Sequence, residues 1–195
     1  MAVGFTFFGP RGGFYAASAV TAFVGQSPIN IIVSVYLFAV SILGLIVLMG
    51  YLSGFRGGLD RVTWGASLLA AGSFMIGWGL YFAPSISVLS GGPAIDPAIS
   101  YAFTSAGLVI LFGVGSLLLG IALITVAIGG RSAPIWVRAF SGLTGVSAFF
   151  SWAFILASHW SPNQWLPVPF YVVVLWGIVI GVWLLVSSPT RAATA

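Results

Sequence analysis

Residues 98–128 read AISYAFTSAGLVILFGVGSLLLGIALITVAI and contain no charged side chain. About twenty apolar residues, at a rise of about 1.5 Å each, are enough for an α-helix to cross the hydrocarbon of a bilayer. The stretch therefore predicts a membrane-spanning helix with residues to spare. A proline-bearing loop precedes it and a Gly-Gly-Arg sequence follows it, so it separates two halves of similar layout.

The composition excludes a water-soluble domain. The chain of 195 residues is 60% hydrophobic and 4% charged, which leaves too few charged groups to cover a soluble surface. Its cations are scattered arginines, whereas nucleic-acid phosphates are neutralised by clustered cations, so we expect no nucleic-acid partner. The absence of cysteine also excludes disulfides and thiolate metal sites.

Apolar runs on both sides of the central stretch predict four more spanning helices. Pro84 is expected to end the second span, because proline lacks the N–H group that continues a helix. We thus predict an all-α integral membrane protein, a compact bundle of five firm transmembrane helices in one polytopic domain covering residues 1–195. The predicted spans lie near residues 29–52, 62–82, 98–128, 139–157 and 168–186.

The N-terminal segment, residues 1–26, is harder to assign. Its apolar run covers residues 14–25, which is shorter than an ordinary span and typical of an interfacial or re-entrant helix. A short sixth spanning helix is the alternative, since six crossings would place every arginine on one side of the membrane. We expect a membrane-embedded segment that does not cross.

The arginines predict the orientation. Five of them fall in alternate loops and in the tail. Cytoplasmic loops of membrane proteins carry an excess of cationic residues, so we assign these loops and the tail to the inner face. We therefore predict a multi-pass protein of the plasma membrane with a cytoplasmic C-terminus. These five residues are Arg56, Arg61, Arg131, Arg138 and Arg191.

Small residues recur at helical spacing in each span. Lipid tails are as apolar as leucine, so membrane helices associate where small residues let their backbones approach. Stripes at intervals of three and four residues therefore predict packing faces. They comprise Ser34, Ser41 and Gly44 in the first span, Ala66, Ala70, Ser73 and Gly77 in the second, Gly113, Ser116 and Gly120 in the third, Ser141, Gly145 and Ala148 in the fourth, and Gly177 and Gly181 in the fifth.

The richest set of polar side chains lies in the second outer loop and is joined by one carboxylate from the first. A histidine polarised by an aspartate, with amides as oxyanion donors, would be a minimal acid–base site. The alternative is a solvated loop anchored in the interface by its tryptophans, which we favour. These candidates for a ligand site or an interface are His159, Trp160, Asn163, Gln164, Trp165 and Asp96.

No spanning segment carries an ionisable side chain at its centre, and such groups mark proton relays and charged-substrate pumps. We predict no catalytic residue and no metal site, we identify no cofactor, and enzymatic activity is left open but disfavoured. The expected function is that of a non-catalytic membrane subunit, binding lipid or another apolar ligand and packing with other membrane proteins or with copies of itself. A permease or channel for a small neutral solute is the alternative, and a lipid-modifying enzyme is the third candidate.

Overall fold

The computed structural model describes residues 28–54, 59–93, 96–157 and 168–192, and every regular element in these ranges is helical. Residues 1–26 and the second outer loop lie outside the described residues. The central stretch forms one helical rod of three parts, called the central rod below: α3, a π-helical segment and α4. The elements are α1 (Pro28–Ser53), α2 (Asp60–Leu89), α3 (Pro97–Leu108), the π segment (Val109–Gly115), α4 (Ser116–Gly129), α5 (Ile135–Ala157) and α6 (Val168–Ala192).

Within the described residues, three helices are long and apolar enough to cross a membrane: Ile31–Ser53, Asp60–Leu89 and Ala98–Gly129. The outward-facing surfaces of these helices and of α5 carry large apolar side chains. Leu69 is 62% exposed and Ile76 is 60% exposed on α2, and Leu143 is 66% exposed on α5. A helix surface of this composition is stable where the surrounding solvent is hydrocarbon. The helical fold and its compatibility with a membrane are as the sequence predicts.

The second helix corrects one expectation, because Pro84 does not end it. α2 continues through Pro84 to Leu89, and Pro84 itself is buried. Proline removes one backbone hydrogen bond, but tight packing of neighbouring helices around a spanning helix can hold the rest of the turn in place. The chain turns only at Ser90–Gly92, where Gly91 adopts a φ of 80° that glycine tolerates best.

Two other helices begin or end beyond the predicted spans. α5 begins at Ile135, so Arg138 lies in its first turn rather than in the preceding loop. α6 extends to Ala192 and therefore includes Arg191. Hydropathy locates the apolar centre of a span, whereas polar turns at its ends can still be helical.

The helices pack mainly against their neighbours in sequence. α1 packs on α2, α2 packs along all three parts of the central rod, α4 packs on α5, and α5 packs on α6. The central rod thus has α2 on one side and α5 on another. This arrangement leaves α1 and α6 at the two margins of the helix array.

The charged residues mark the two ends of the array. The Thr63 and Thr125 hydroxyls lie 2.8 Å apart, so the start of α2 and the end of α4 are at the same end. Arg61, Arg131 and Arg138 all belong to this end, which we call the arginine end. Asp96 lies at the opposite end, before α3. The separation is the one expected of a protein that crosses a membrane with its cations on one side.

Candidate functional site

The predicted constellation of the second outer loop is not brought together within the described residues. His159, Trp160, Asn163, Gln164 and Trp165 lie outside them. Asp96 is described, and it is exposed.

Asp96 acts as the N-cap of α3. Its Oδ1 accepts a hydrogen bond of 2.8 Å from the Ala98 backbone N–H, and Pro97 occupies the first turn. A carboxylate here satisfies a free N–H group and complements the positive end of the helix dipole. Among the residues that the structure describes, no group of three His, Cys, Asp or Glu side chains could hold a metal ion.

The predicted small residues of α2 to α6 divide into two sets by their surroundings. Those of the inner helices are buried, apart from the half-buried Ser73, whereas Gly177 and Gly181 of α6 are half-buried. A Cβ atom built on either α6 glycine would meet no heavy atom of another helix within 4 Å. The buried set comprises Ala66, Ala70, Gly77, Gly113, Ser116, Gly120, Ser141, Gly145 and Ala148.

Gly77 and Gly107 form the first close helix crossing, between α2 and α3. A Cβ on Gly77 would lie 2.8 Å from the Gly107 carbonyl oxygen and 2.9 Å from the Leu111 backbone nitrogen. A Cβ on Gly107 would lie 2.6 Å from the Gly77 carbonyl oxygen. These three obstacles are backbone atoms, and the Leu111 Cγ would also lie 2.7 Å from the Gly77 Cβ. The two helices therefore approach as closely as they do only because neither residue has a side chain.

Gly120 and Gly145 form the second close crossing, between α4 and α5. A Cβ on Gly120 would lie 2.8 Å from the Gly145 carbonyl oxygen, and one on Gly145 would lie 2.9 Å from the Gly120 carbonyl oxygen. The central rod is therefore held by a glycine pair on either side of the π segment.

A buried hydrogen bond connects α5 to α6. The Trp176 indole Nε1–H donates to the Ser141 hydroxyl at 3.0 Å, and both side chains are fully buried. An indole N–H in an apolar interior usually has such a partner, because leaving it unpaired is costly. The bond fixes the face that α6 turns toward the array.

A groove of about 500 Å³ separates the two marginal helices, α1 and α6, and we call it the α1–α6 groove. Its floor contains Phe74 from α2 and Ser116 and Leu119 from the central rod. Its volume lies within the range of about 300–1,000 Å³ that is typical of small-molecule sites. Its walls are Ser41, Gly44, Leu45 and Leu48 from α1 and Val173, Val174, Trp176, Gly177, Ile178 and Gly181 from α6.

The described lining of the α1–α6 groove is apolar in its chemistry. No lining residue is charged, and the two lining hydroxyls are already bonded within their own helices. Ser41 Oγ donates to the Leu37 carbonyl at 2.7 Å, and Ser116 Oγ donates to the Leu111 carbonyl at 3.3 Å. The groove can therefore hold a hydrocarbon chain by van der Waals contact and offers little to orient a polar substrate.

Two residues that shape these features do not appear among the predicted small residues, whereas Gly44, which lines the groove, does. Gly107 forms the first crossing, and Gly115 lies where a Cβ would be 2.6 Å from the Phe74 ring. Gly107, Leu111 and Gly115 recur every four residues, and this spacing could have identified the α2-facing side of the central rod.

Comparison of the chain with protein-family models, with curated proteins and with solved structures finds no match.

Proposed function

We propose that this chain is a non-catalytic, multi-pass integral membrane protein that holds a lipid hydrocarbon chain in the α1–α6 groove and packs with other membrane proteins. The observation that carries the proposal is the groove itself, about 500 Å³ in volume and lined by apolar side chains from helices that lie apart. In a bilayer, such a groove is in contact with lipid tails, and a tail is the apolar ligand always present.

The state of the hydroxyl groups supports this function over the permease alternative. A path for a small neutral solute needs hydrogen-bonding groups that are available to replace water. In the α1–α6 groove, the Ser41 and Ser116 hydroxyls donate to carbonyls of their own helices. An acyl chain needs no hydrogen-bonding partner, because its binding depends on apolar contact area alone.

The glycines of the groove support a linear ligand. Gly44 is on α1, Gly177 and Gly181 are on α6, and a Cβ built on any of them would meet no neighbouring atom within 4 Å. The absence of side chains at these positions keeps the groove open along several turns of both walls. An open and apolar groove of this kind can hold an extended chain of methylene groups.

Photocrosslinking would test the proposal. The full chain is reconstituted in phosphatidylcholine vesicles that contain a lipid with a diazirine on one acyl chain, and the labelled peptides are identified after illumination. We expect label on α1 and α6 residues of the groove, and at least a fivefold loss of that label in Gly177→Leu, whose new side chain fills the space. Gly79→Leu is the matched control, since Gly79 is exposed on α2, has open space around it and does not line the groove.

Equal labelling of Gly177→Leu and Gly79→Leu would contradict lipid occupancy of the groove. The same vesicles can report solute flux by their swelling in an osmotic gradient. Glycerol entry much faster than in protein-free vesicles, and abolished by Gly177→Leu, would favour the permease instead.

The proposed orientation places the arginine end and the C-terminus in the cytoplasm and the protein in the plasma membrane. The structure gives this a sharp test, because Ser132 at the arginine end and Ser90 at the opposite end are both exposed. The chain has no cysteine, so each single-cysteine variant carries one thiol.

We expect Ser90→Cys to react with a membrane-impermeant maleimide in intact cells and Ser132→Cys to react only after lysis. The physical reason is the retention of cationic loops on the inner face. Mass tagging on a gel measures the labelled fraction. The reverse pattern would show that the orientation is inverted.

A further inference from the structure

A second groove lies on the outward face of α4 and α5, with Ile135 and Arg138 near the arginine end. Ala127, Ala139 and Gly142 provide small residues along it, and Leu143 and Val146 continue it away from the arginine end. Its volume is about 500 Å³. Arg138 and Val146 are eight positions apart on α5, so the groove runs roughly 12 Å along the helix axis. It therefore joins a cationic side chain to an apolar surface that points into the membrane.

The Arg138 side chain is held in place by a backbone acceptor. Its Nε donates to the Ala127 carbonyl of α4 at 3.0 Å, and the side chain is half-buried. This bond uses one N–H of the guanidinium and leaves the Nη groups as donors. An arginine fork can give two parallel hydrogen bonds to one phosphate.

The arginine end carries more positive than negative charge among the described residues. Arg61, Arg131 and Arg138 lie at this end with one described carboxylate, Asp60, the first residue of α2, whereas Asp96 caps α3 at the opposite end. The exposed Arg131 and Arg61 add further positive charge at the arginine end. An anionic group is therefore the complementary occupant for this end of the groove.

Tryptophans of the kind found at the membrane–water interface lie near Arg138. Trp136 is 42% exposed and meets Trp183 edge to face, with ring centroids 5.4 Å apart. Trp64, 37% exposed on α2, packs over Gly50 near the same end. Exposed tryptophans on spanning helices concentrate at the membrane–water interface. Arg138 is two residues from Trp136 on α5, so we expect its guanidinium at the same depth.

We propose that this groove is a binding site for an anionic phospholipid, with the phosphate at the Arg138 Nη groups and one acyl chain along Gly142, Leu143 and Val146. The headgroup of a zwitterionic lipid carries a cationic group, which the arginines of this end repel. The headgroup of an anionic lipid has a net negative charge, which they attract. A basic residue near the membrane surface attracts an anionic lipid by about 1 kcal/mol, which corresponds to about fivefold in affinity. The site is separate from the α1–α6 groove.

Native mass spectrometry of the purified full chain, titrated with phosphatidylglycerol or phosphatidylcholine in detergent, would test the site. We expect the wild type to bind its first phosphatidylglycerol about fivefold more tightly than phosphatidylcholine. Arg138→Gln should remove most of that preference, and Arg138→Lys should keep part of it. Arg61→Gln is the matched control, because it removes an arginine of the same end that does not line the groove.

A second variant tests the site without disturbing the bond to Ala127. Ile135 lines the groove, is 73% exposed and lies three residues before Arg138. Glutamate at position 135 can pair with Arg138 across one helical turn and compete with the phosphate. Ile135→Glu should therefore lower the preference for phosphatidylglycerol as Arg138→Gln does, in a protein that remains folded.

Several results would overturn the proposal. One is an unchanged lipid preference in both Arg138→Gln and Ile135→Glu, and another is an equal loss in Arg61→Gln, which would indicate diffuse charge. A dimer whose abundance depends on Arg138 and not on lipid would identify a second copy as the occupant. Gly177→Leu should leave the preference for phosphatidylglycerol intact, so this site and the α1–α6 groove can fail separately.

Discussion

Gly77→Leu is expected to prevent stable folding under conditions where Gly79→Leu folds normally. Both substitutions add the same side chain to α2, two residues apart. At Gly77 the first added atom alone would lie 2.8 Å from the Gly107 carbonyl oxygen and 2.9 Å from the Leu111 nitrogen. Neither obstacle is the end of a flexible side chain, so α2 and α3 must separate.

The expected cost of Gly77→Leu is at least about 3 kcal/mol, at or above the upper end of the usual range for overpacked sites. Separating α2 from α3 also removes the contacts that surround the crossing. Gly79 is exposed and has open space around it, so Gly79→Leu should change stability by less than about 0.5 kcal/mol. Thermal unfolding in a mild detergent, followed by size-exclusion chromatography, measures the difference. Equal unfolding midpoints for the two variants would refute the close crossing.

The second large effect is expected at the crossing of α4 and α5, in a double-mutant cycle of Gly120→Ala and Gly145→Ala. Each added methyl group would lie within 3 Å of the other glycine's carbonyl oxygen. Either substitution alone must push the two helices apart, at a cost of about 1–3 kcal/mol. Once the helices are apart, the second methyl group meets less resistance. The double variant should therefore cost less than the sum of the single variants, by at least about 0.5 kcal/mol.

A matched pair gives the control for this coupling. Gly120→Ala combined with Gly77→Ala changes two crossings that involve different partner helices, α5 and α2. Gly107 and Gly120 are thirteen positions apart, which is roughly 20 Å along the central rod. The effects of this pair should add within about 0.5 kcal/mol. Strict additivity in the Gly120–Gly145 pair would show that the two glycines do not share one contact.

Much of the fold could be predicted because hydropathy and helix length are properties of single segments. The helical form of each described segment follows from the cost of exposing polar backbone to hydrocarbon, and its apolar length follows from the thickness of that hydrocarbon. Pro84 shows the limit of this reasoning. The rule that proline ends a helix considers only the missing N–H, whereas the observed helix continues with Pro84 buried among its neighbours.

The packing faces were predictable only in part, for a different reason. Gly145 and Gly181 belong to stripes of the same spacing, yet Gly145 contacts the backbone of α4 and Gly181 borders a groove. A stripe of small residues indicates that one face of a helix lacks large side chains. It does not indicate whether the space beside that face is filled by another helix or left open. That difference depends on how far apart α1 and α6 lie, which no local pattern contains.

The π segment, Val109–Gly115, changes the direction, about the axis of the central rod, in which the side chains of α4 point. Each π hydrogen bond spans one residue more than an α bond, so the segment accommodates about one extra residue. If the same sequence were wound as a uniform α-helix, α4 would turn by about 100° relative to α3. Gly107 would still face α2, but Gly120 would rotate away from Gly145. The π segment thus sets the rotation between α3 and α4, so that one continuous rod presents Gly107 to α2 and Gly120 to α5.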